Sequence, residues 1–173
     1  MKALLLALLA LAAVPALAEK ADRDKPTNIE ANRMSSDDAR SMNLFEGNVV
    51  LTKGTITVRA DRIVVHQDPD GFQLTTATGA PVRFRQRQDP KEDGKEGAWM
   101  DGEAKRIEMD DRNEKIELFE AARVNRDGDE VTGDYIFVDQ RSDFFSVTSG
   151  KTTPGGRVKA VIQPKTPAEE GKK

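Results

Sequence analysis

The feature that most constrains this chain is an alternation of apolar and polar residues that runs through most of its length. Between Thr27 and Ile162 the apolar side chains recur mostly at every second position, as in Ile56–Ala60, Val82–Arg85 and Ile116–Leu118. A period of two is the period of a β-strand with one buried face. Because no segment of this region carries a sustained helical stripe, the sequence predicts an all-β fold.

A four-residue cue recurs along the alternating region and indicates an internal duplication. It consists of a small residue, a polar residue, Arg or Tyr, and Met or Ile. Its four copies begin at Ala31, Ala60, Ala104 and Gly133. Copies one and three, and copies two and four, share an offset of 73 positions. The inward parity changes around the cue, for example from Val58 to Ile63, and such a change requires a bulge or a tight bend. We therefore interpret the cue as a corner of the fold and not as a ligand site.

Turn-forming residues fall at short, even intervals between the alternating segments. The predicted turns are Lys53-Gly54, Asp68–Gly71, Thr78–Pro81, Asp111–Asn113, Asp127–Asp129 and Pro154–Gly156. Many short strands at this spacing indicate a sandwich, a barrel or a roll. Residues Gln88–Gly97, which are dense in charged residues and glycine, are expected to form a mobile loop between the two halves.

The first eighteen residues are expected to be a secretory signal peptide. Lys2 precedes an unbroken apolar run from Ala3 to Val14, and Ala16-Leu17-Ala18 supplies the small-residue pattern for cleavage after Ala18. An uncleaved anchor is the less favoured alternative, because the run is shorter than the ~20 residues needed to span a bilayer. We predict an N-terminal extension over 19–26, one β-domain over 27–162 and a disordered tail over 163–173, which is rich in Pro, Lys and Glu.

The residues available for chemistry exclude several classes of protein. The chain has no cysteine, and its net charge of -3 comes from well-mixed charges with no basic stripe, so we expect neither disulfides nor a nucleic-acid partner. The single histidine, His66, lies at a predicted strand end and is interpreted as solvated. Asp68 and Asp70 resemble the start of a calcium loop, but the remaining ligands of that loop are missing and turn formation explains them better. Glu108 and Asp110 alternate outward. We therefore predict no catalytic residues, no metal, no cofactor and no enzymatic activity.

The inward face is largely aliphatic, and it permits two interpretations. The inward positions by alternation include Ile56, Val58, Ile63, Val65, Ile107, Leu118, Ile136 and Val138. Such residues most often form a filled core. They can equally line a groove for an apolar guest, since each buried methylene of an acyl chain contributes roughly 0.8 kcal/mol. Periodicity alone does not separate the two.

Two long segments carry a resemblance to a known family. Gly47–Thr55 (GNVVLTKGT), continued by Ile56–Val65 (ITVRADRIVV), resembles the signature of the OstA-like lipopolysaccharide-transport family. Gly79–Gln86 (GAPVRFRQ) and Gly155–Pro164 (GGRVKAVIQP) are similar to later strands of the same family, in the same order. The resemblance covers residues 26–164 and implies an antiparallel β-jellyroll, open at both ends, whose interior holds the lipid A acyl chains of lipopolysaccharide.

The resemblance also implies residue roles and partners. On the N-terminal strand Thr27 and Ile29 would face the groove, Phe84 would contact acyl chains, and Met109 stands where the family places an aromatic residue. Such rolls stack head to tail and join an inner-membrane lipopolysaccharide extraction complex to an outer-membrane translocon across the periplasm. The edge strands expected to pair are formed by Thr27, Asn28, Ile29 and Glu30 and by Arg157, Val158, Lys159, Ala160, Val161 and Ile162.

Outside this family, the main alternative is an exported structural or polysaccharide-binding β-module. Such a module would have a filled interior and aromatic residues on its surface, whereas Trp99 and Tyr135 are the only Trp and Tyr of the chain. An enzyme ranks third, because no nucleophile is accompanied by a base.

Overall fold

The structure is a computed structural model that describes residue 22 and residues 25–88, 96–151 and 154–164. The predicted signal peptide, most of the predicted N-terminal extension, residues 89–95 of the predicted mobile loop, and the predicted tail from residue 165 lie outside the described residues.

Ten antiparallel strands form one sheet, which confirms the predicted all-β fold. The strands are β1 Asn28–Glu30, β2 Arg33–Asp37, β3 Met42–Lys53, β4 Ile56–Gln67, β5 Gln73–Arg87, β6 Trp99–Asp110, β7 Lys115–Arg126, β8 Asp129–Asp139, β9 Phe144–Thr148 and β10 Lys159–Val161. Their order in the sheet is β1-β3-β4-β5-β6-β7-β8-β10, and β2 also pairs with β3 and β9 with β8. Short 3-10 turns lie at Asp38–Arg40 and Pro154–Gly156.

A line of bulges crosses the sheet, and we call this line the crease. The register shifts in every pair from β3·β4 to β7·β8. The shifts lie at Gly47-Asn48, Ala60-Asp61, Gly79–Pro81, Ala104-Lys105, Glu120-Ala121 and Asp134. Between β1 and β2, the Asn32 amide donates to the Gly47 carbonyl at 2.9 Å, so the first copy of the cue lies on the same line. All four copies therefore lie at the crease, and their interpretation as a corner is confirmed.

The crease divides the sheet into two leaves that share the six long strands. Leaf 1 contains β2, β9 and segments 42–46, 62–67, 73–78, 106–110, 115–119 and 135–139. Leaf 2 contains β1, β10 and segments 49–53, 56–60, 82–87, 99–104, 122–126 and 129–133. The chain passes between leaves where β1 is followed by β2 and where β9 is followed by β10.

The two leaves fold back on each other along the crease. Lys53 lies at the free end of leaf 2, and Asp111 follows β6 at the free end of leaf 1. In a flat sheet these ends would be about 35 Å apart along the strands, from ~11 residues at ~3.3 Å each. The Lys53 Nζ and Asp111 Oδ2 atoms instead lie 2.5 Å apart. The inner faces of the leaves therefore pack against each other.

Aliphatic side chains from both leaves form the core. Val58 and Val82 of leaf 2 and Ile63, Ile107 and Ile136 of leaf 1 are all fully buried. A methyl group added to Gly102 would lie 3.1 Å from Cδ2 of Leu118, which belongs to the opposite leaf. The interior near the crease is thus densely packed, as expected for a protein core.

Gly133 replaces the alanine of the cue because its neighbour approaches too closely for a side chain. A Cβ at this position would lie 2.5 Å from Cγ1 of Val147 and 2.8 Å from the Thr148 carbonyl oxygen, both on β9. Atoms do not approach a Cβ this closely, so only glycine fits. The fourth cue therefore allows the end of β9 to approach the crease beside β8.

Four features differ from the prediction. Thr78–Pro81 was predicted as a reversal, which is wrong: the residues form a bulge inside the continuous strand β5. The reason is that β5 has ladders to both β4 and β6 on either side of this segment, and these hold the chain in one direction. The edge strands are shorter than predicted, at Asn28–Glu30 and Lys159–Val161. Gln163 remains attached to the domain, because its amide donates to Asp129 Oδ1 at 2.8 Å.

Truncating a core side chain near the crease should destabilise the fold strongly. Ile107 is fully buried and pairs with Ala77 and Leu118 on its neighbouring strands. We expect Ile107→Ala to lower the free energy of unfolding by about 3 kcal/mol, and Ile107→Val by about 1 kcal/mol, because more volume is left empty by the first. Urea unfolding followed by circular dichroism measures both. Equal effects of the two variants would contradict a closely packed interior.

The only tyrosine should titrate far above its ordinary range. Burial, together with the hydrogen bond that the Tyr135 hydroxyl donates to Glu117 Oε1 at 2.5 Å, raises the Tyr135 pKa to about 12. Since the folded pKa exceeds the unfolded value of about 10, this stabilisation is present below pH 10 and is lost as the pH rises towards 12. Because the chain contains one tyrosine, the phenolate absorbance near 295 nm reports the ionisation of Tyr135 alone. We expect Glu117→Gln to move the midpoint towards 10, and an unchanged midpoint would refute the assigned cause.

Candidate binding cavity and sheet edges

A cavity of about 490 Å³ lies between the free ends of the two leaves, on the side away from the crease. Its apolar lining comes from both leaves: Leu51, Ile56, Met109, Ile116 and Val138. The strands that supply these side chains are β3 and β4 in leaf 2 and β6, β7 and β8 in leaf 1. The volume lies in the range of small-ligand sites, which are mostly apolar clefts with a few polar groups.

A row of polar side chains closes the cavity where the leaf ends meet, and we call this row the seam. The bonds that cross it join Thr27 Oγ1 to Gln73 Oε1 at 3.1 Å, Lys53 Nζ to Asp111 Oδ2 at 2.5 Å, Gln140 Nε2 to Gln86 Oε1 at 2.7 Å, and Arg126 Nη1 to Asp143 Oδ1 at 3.2 Å. Each of these bonds joins one side chain to another. Among the residues that the structure describes, no backbone hydrogen bond crosses the seam.

The rim of the cavity carries charges of both signs. Lys115 and Arg141 line it from leaf 1 and Arg87 from leaf 2, together with the carboxylates of Asp110 and Asp111. Arg87 donates from Nη2 to Glu96 at 2.6 Å, whereas its buried Nε has no hydrogen-bond partner. The mouth of the cavity is therefore polar while its floor is apolar, which suits an amphiphilic guest.

Aspartates fix the turns at the free end of leaf 1. The Arg112 guanidinium donates to Asp68 and Asp70, both at 2.6 Å, and holds the pKa of Asp68 below its usual range. Backbone hydrogen bonding from Ser142 lowers the pKa of Asp139 in the same way. These carboxylates are engaged in turn formation, which agrees with the interpretation of Asp68 and Asp70 as turn residues.

The turn between β6 and β7 is also fixed by an aspartate. Burial alone would raise the pKa of Asp110, but hydrogen bonds from the Asn113 side chain and backbone outweigh it and keep the pKa below its ordinary value. The Asp110 carboxylate accepts from the Asn113 amide at 3.0 Å and from its Nδ2 at 2.7 Å. The turn that carries Asp111 to the seam is therefore held from within leaf 1.

The predicted lipid-contact residues divide into two groups. Thr27, Ile56, Met109 and Val138 line the cavity. The others lie in the core or pack against it and do not line the cavity: Ile29, Val58, Ile63, Val65, Phe84, Ile107, Leu118 and Ile136. Phe84, expected as a groove contact, is 3% exposed. The structure thus brings only the residues near the seam to an accessible surface.

Sequence reasoning did not name Leu51 or Ile116 as lipid contacts, and it missed the whole seam. Ile116 was already part of an alternating segment, and Leu51 follows the same alternation on β3, so this signal could have added both. The seam joins residues as distant in the chain as Lys53 and Asp111, and no local pattern predicts which of them meet.

The predicted pairing strands lie at the two ends of the sheet. β1 ends leaf 2 on one side, and β10 ends it on the other. Arg157–Ile162 are all exposed, and Ile162 is 77% exposed. Asn28 and Glu30 are exposed, while Ile29 is half-buried. Each edge strand offers backbone donors and acceptors on the side away from the sheet.

The structure also places the residues that the sequence analysis considered for chemistry. His66 is exposed, as its position at a strand end indicated. Within the described ranges, no group of three or more acidic or histidine side chains could hold a metal ion. No helix in that part of the chain is long and apolar enough to cross a membrane.

Comparison with known proteins places this chain in a family. Residues 28–144 match the family described as LptA/(LptD N-terminal domain) LPS transport protein. The lipopolysaccharide export system protein LptA of Haemophilus influenzae is 33% identical over 80% of this chain and 78% of its own length. LptH of Pseudomonas aeruginosa, also named as an export system protein, is 26% identical over 92% of this chain and 91% of its own length.

A solved structure supports the architecture. The crystal structure of LptH from Pseudomonas aeruginosa, titled as the LptA-homologous periplasmic component of the lipopolysaccharide transport device, superposes with a TM-score of 0.74. It is 23% identical, and the match covers 83% of this chain and 99% of that one. Together with the family match over 28–144, this likeness confirms the predicted β-jellyroll, and the chain belongs to the LptA/LptD N-terminal domain family of lipopolysaccharide transport proteins.

Proposed function

We propose that this protein carries lipopolysaccharide across the periplasm without chemical change, with the acyl chains held between the two leaves. The observation that carries the proposal is the cavity between the leaf ends, which has a polar rim and an apolar floor whose residues belong to the core or pack against it. Membership of a lipopolysaccharide transport family supports the choice of ligand.

The chemistry of the cavity fits an acylated sugar. Leu51, Ile56, Met109, Ile116 and Val138 offer aliphatic or thioether surface, and each methylene moved from water onto such surface contributes roughly 0.8 kcal/mol. Met109 adapts to chains of different shape because its side chain is flexible and polarizable. The sugars and phosphates would remain at the polar mouth or in solvent.

Export and assembly complete the proposal. The leader over residues 1–18 would direct the chain to the periplasm, with cleavage after Ala18. Pairing of β10 of one copy with β1 of the next would align the leaves of successive copies head to tail. Such a row would connect an inner-membrane lipopolysaccharide extraction complex with an outer-membrane translocon.

One observation favours a second candidate, an exported structural or polysaccharide-binding module. Val58, Ile63, Ile107 and Ile136 are 0% exposed, so the interior near the crease is filled. A module of that kind would need no guest between its leaves. The lipid test below separates the two functions.

Photo-crosslinking should place lipopolysaccharide on the inner face. A diazirine-bearing aliphatic residue is introduced at Ile56, which lines the cavity, at Phe84 in the core, and at Arg85, which is exposed on the outer face. With purified lipopolysaccharide and ultraviolet light, we expect adducts at Ile56 at least ten times more abundant than at Arg85, since acyl chains lie between the leaves. Adducts at Phe84 would indicate that the leaves separate down to the core.

The control is the same set of proteins with a lipopolysaccharide-free detergent, and circular dichroism verifies that each variant is folded. Adducts confined to Arg85, or absent from all three folded variants, would refute transport between the leaves and favour the module with a filled core.

Proline in β10 should remove oligomers while the monomer stays folded. Successive amides of a strand point to opposite sides, so only one of Ala160→Pro and Val161→Pro removes a donor that faces away from β8. We expect the natural chain to form concentration-dependent oligomers, measured by light scattering on a sizing column, and that one proline variant to lose them. Lys151→Pro, in a turn outside the strands, is the matched control. Oligomers that persist unchanged in both β10 variants would contradict pairing through this edge.

A further inference from the structure

One polar side chain lies in the apolar floor of the cavity. Among the residues that the structure describes, Thr75 is the only buried one with a polar or charged side chain, and it lines the cavity from β5. Its cross-strand partners are Val65 on β4 and Met109 on β6. The same row of inward side chains continues through Ile116 on β7 and Val138 on β8. Thr75 therefore places a hydroxyl in a row that is otherwise apolar.

The Thr75 hydroxyl is unpaired but accessible from the cavity. Within the described ranges it forms no hydrogen bond with another residue. In that part of the chain, Arg87 Nε is the one side-chain nitrogen or oxygen that is both sealed and unpaired. Because the Thr75 hydroxyl is unpaired and not sealed, it faces the cavity, where a guest can reach it.

A hydroxyl at this position does not improve the packing of the fold. Valine is β-branched like threonine and would fill the same place without a polar group. Moving a hydroxyl out of water without giving it a partner is unfavourable, so an apolar side chain would serve the interior better. Positions that break such a rule are expected at functional sites.

The depth of Thr75 matches the start of an acyl chain. Gln73 lies two residues closer to the seam and lines the rim, and Ala77 lies two residues closer to the crease and is fully buried. Thr75 is thus one inward step, about 7 Å along β5, below the rim. If the sugar stays at the polar mouth, the atoms that reach this depth are those next to the link between the sugar and the chain.

We infer that Thr75 is a polar subsite of the cavity, which selects acyl chains that carry an oxygen atom near the sugar. The oxygen is the carbonyl of the ester or amide link, or a hydroxyl on the chain, and it pairs with the Thr75 hydroxyl. The inference rests on the proposed function and deepens it, because it names the chemical class of chain that the cavity prefers.

Displacement of water gives the subsite its selectivity. Water that enters the empty cavity pairs with the hydroxyl, and a bound chain expels that water. A chain with an oxygen at the right depth replaces the lost hydrogen bond. A chain of methylenes alone leaves the hydroxyl unpaired, which lowers its affinity.

The test compares three glucose lipids of equal chain length by titration calorimetry below their micelle concentrations. They are a tetradecyl ether, a tetradecanoyl ester and a 3-hydroxytetradecanoyl ester. We expect the ratio of ester to ether affinity to be about fivefold lower in Thr75→Val than in the natural chain, which is the effect of one hydrogen bond. An advantage of the hydroxylated ester that is lost in the variant would assign the chain hydroxyl as the partner, and equal binding of the two esters would assign the carbonyl.

Two variants serve as controls. Thr75→Ser keeps the hydroxyl and should keep the natural ratio. Thr76→Val makes the same change at the next residue, which alternates to the outer face of β5 and pairs with Val64 and Glu108, and it should leave the ratio unchanged. A ratio that is equal in Thr75→Val and the natural chain would overturn the subsite while leaving the proposed function standing. Absence of both lipid binding and lipopolysaccharide adducts at Ile56 would overturn both.

A measurement without lipid separates this role from a structural one. Because Thr75→Val removes an unpaired hydroxyl, we expect its midpoint of urea unfolding to equal or exceed that of the natural chain. A lowered midpoint would show that the fold itself uses the hydroxyl and would count against the subsite.

Discussion

The rest of the structure depends on the bulges that fold one sheet onto itself. A flat antiparallel sheet with one apolar face needs a cover for that face, and the described residues contain no α-helix that could supply one. Bulges at the crease solve this by bending each long strand, so that the two halves of one face cover each other. The parity shift from Val58 to Ile63 is needed for the same reason: it keeps apolar side chains inward on both sides of the bend.

Because the sheet closes by folding along the crease, its interior is closely packed on the crease side and less densely packed on the seam side. This difference in packing relates the stability of the fold to the proposed function. Near the crease, residues such as Ile107 are fully buried and fix the distance between the leaves. Towards the seam, side chains end in polar groups and a cavity remains. A roll that was packed to the seam would be more stable but could hold no guest. Under the proposed function, the cavity and the seam are the part of the fold in which stability is given up for binding.

The sequence predicted the elements that depend on a local pattern of residues. It did not predict features that depend on contacts between residues far apart in the chain. Alternation identified Val58, Ile63, Ile107 and Ile136, which are all fully buried. The repeated cue marked the crease because a small residue beside a polar one tolerates a bulge. Thr78–Pro81 was misjudged, since Gly and Pro usually reverse a chain but here two flanking ladders prevent it. Phe84 has the pattern of a groove residue, yet its depth depends on how far the leaves close. The seam pairs Lys53 with Asp111 only after that closure, so no window of sequence contains it.

The charges of the two edge strands bear on the direction of the proposed assembly. β1 carries Glu30 and no basic residue, while β10 carries Lys159 and is preceded by Arg157, and all three side chains are exposed. Pairing of β10 with β1 of another copy brings opposite charges together. Pairing of β1 with β1, or of β10 with β10, brings like charges together, and like charges directly opposite on paired strands are destabilising. A contact between two different edges repeats along a line instead of closing a dimer. The edge charges therefore favour the proposed head-to-tail row over pairing of two like edges.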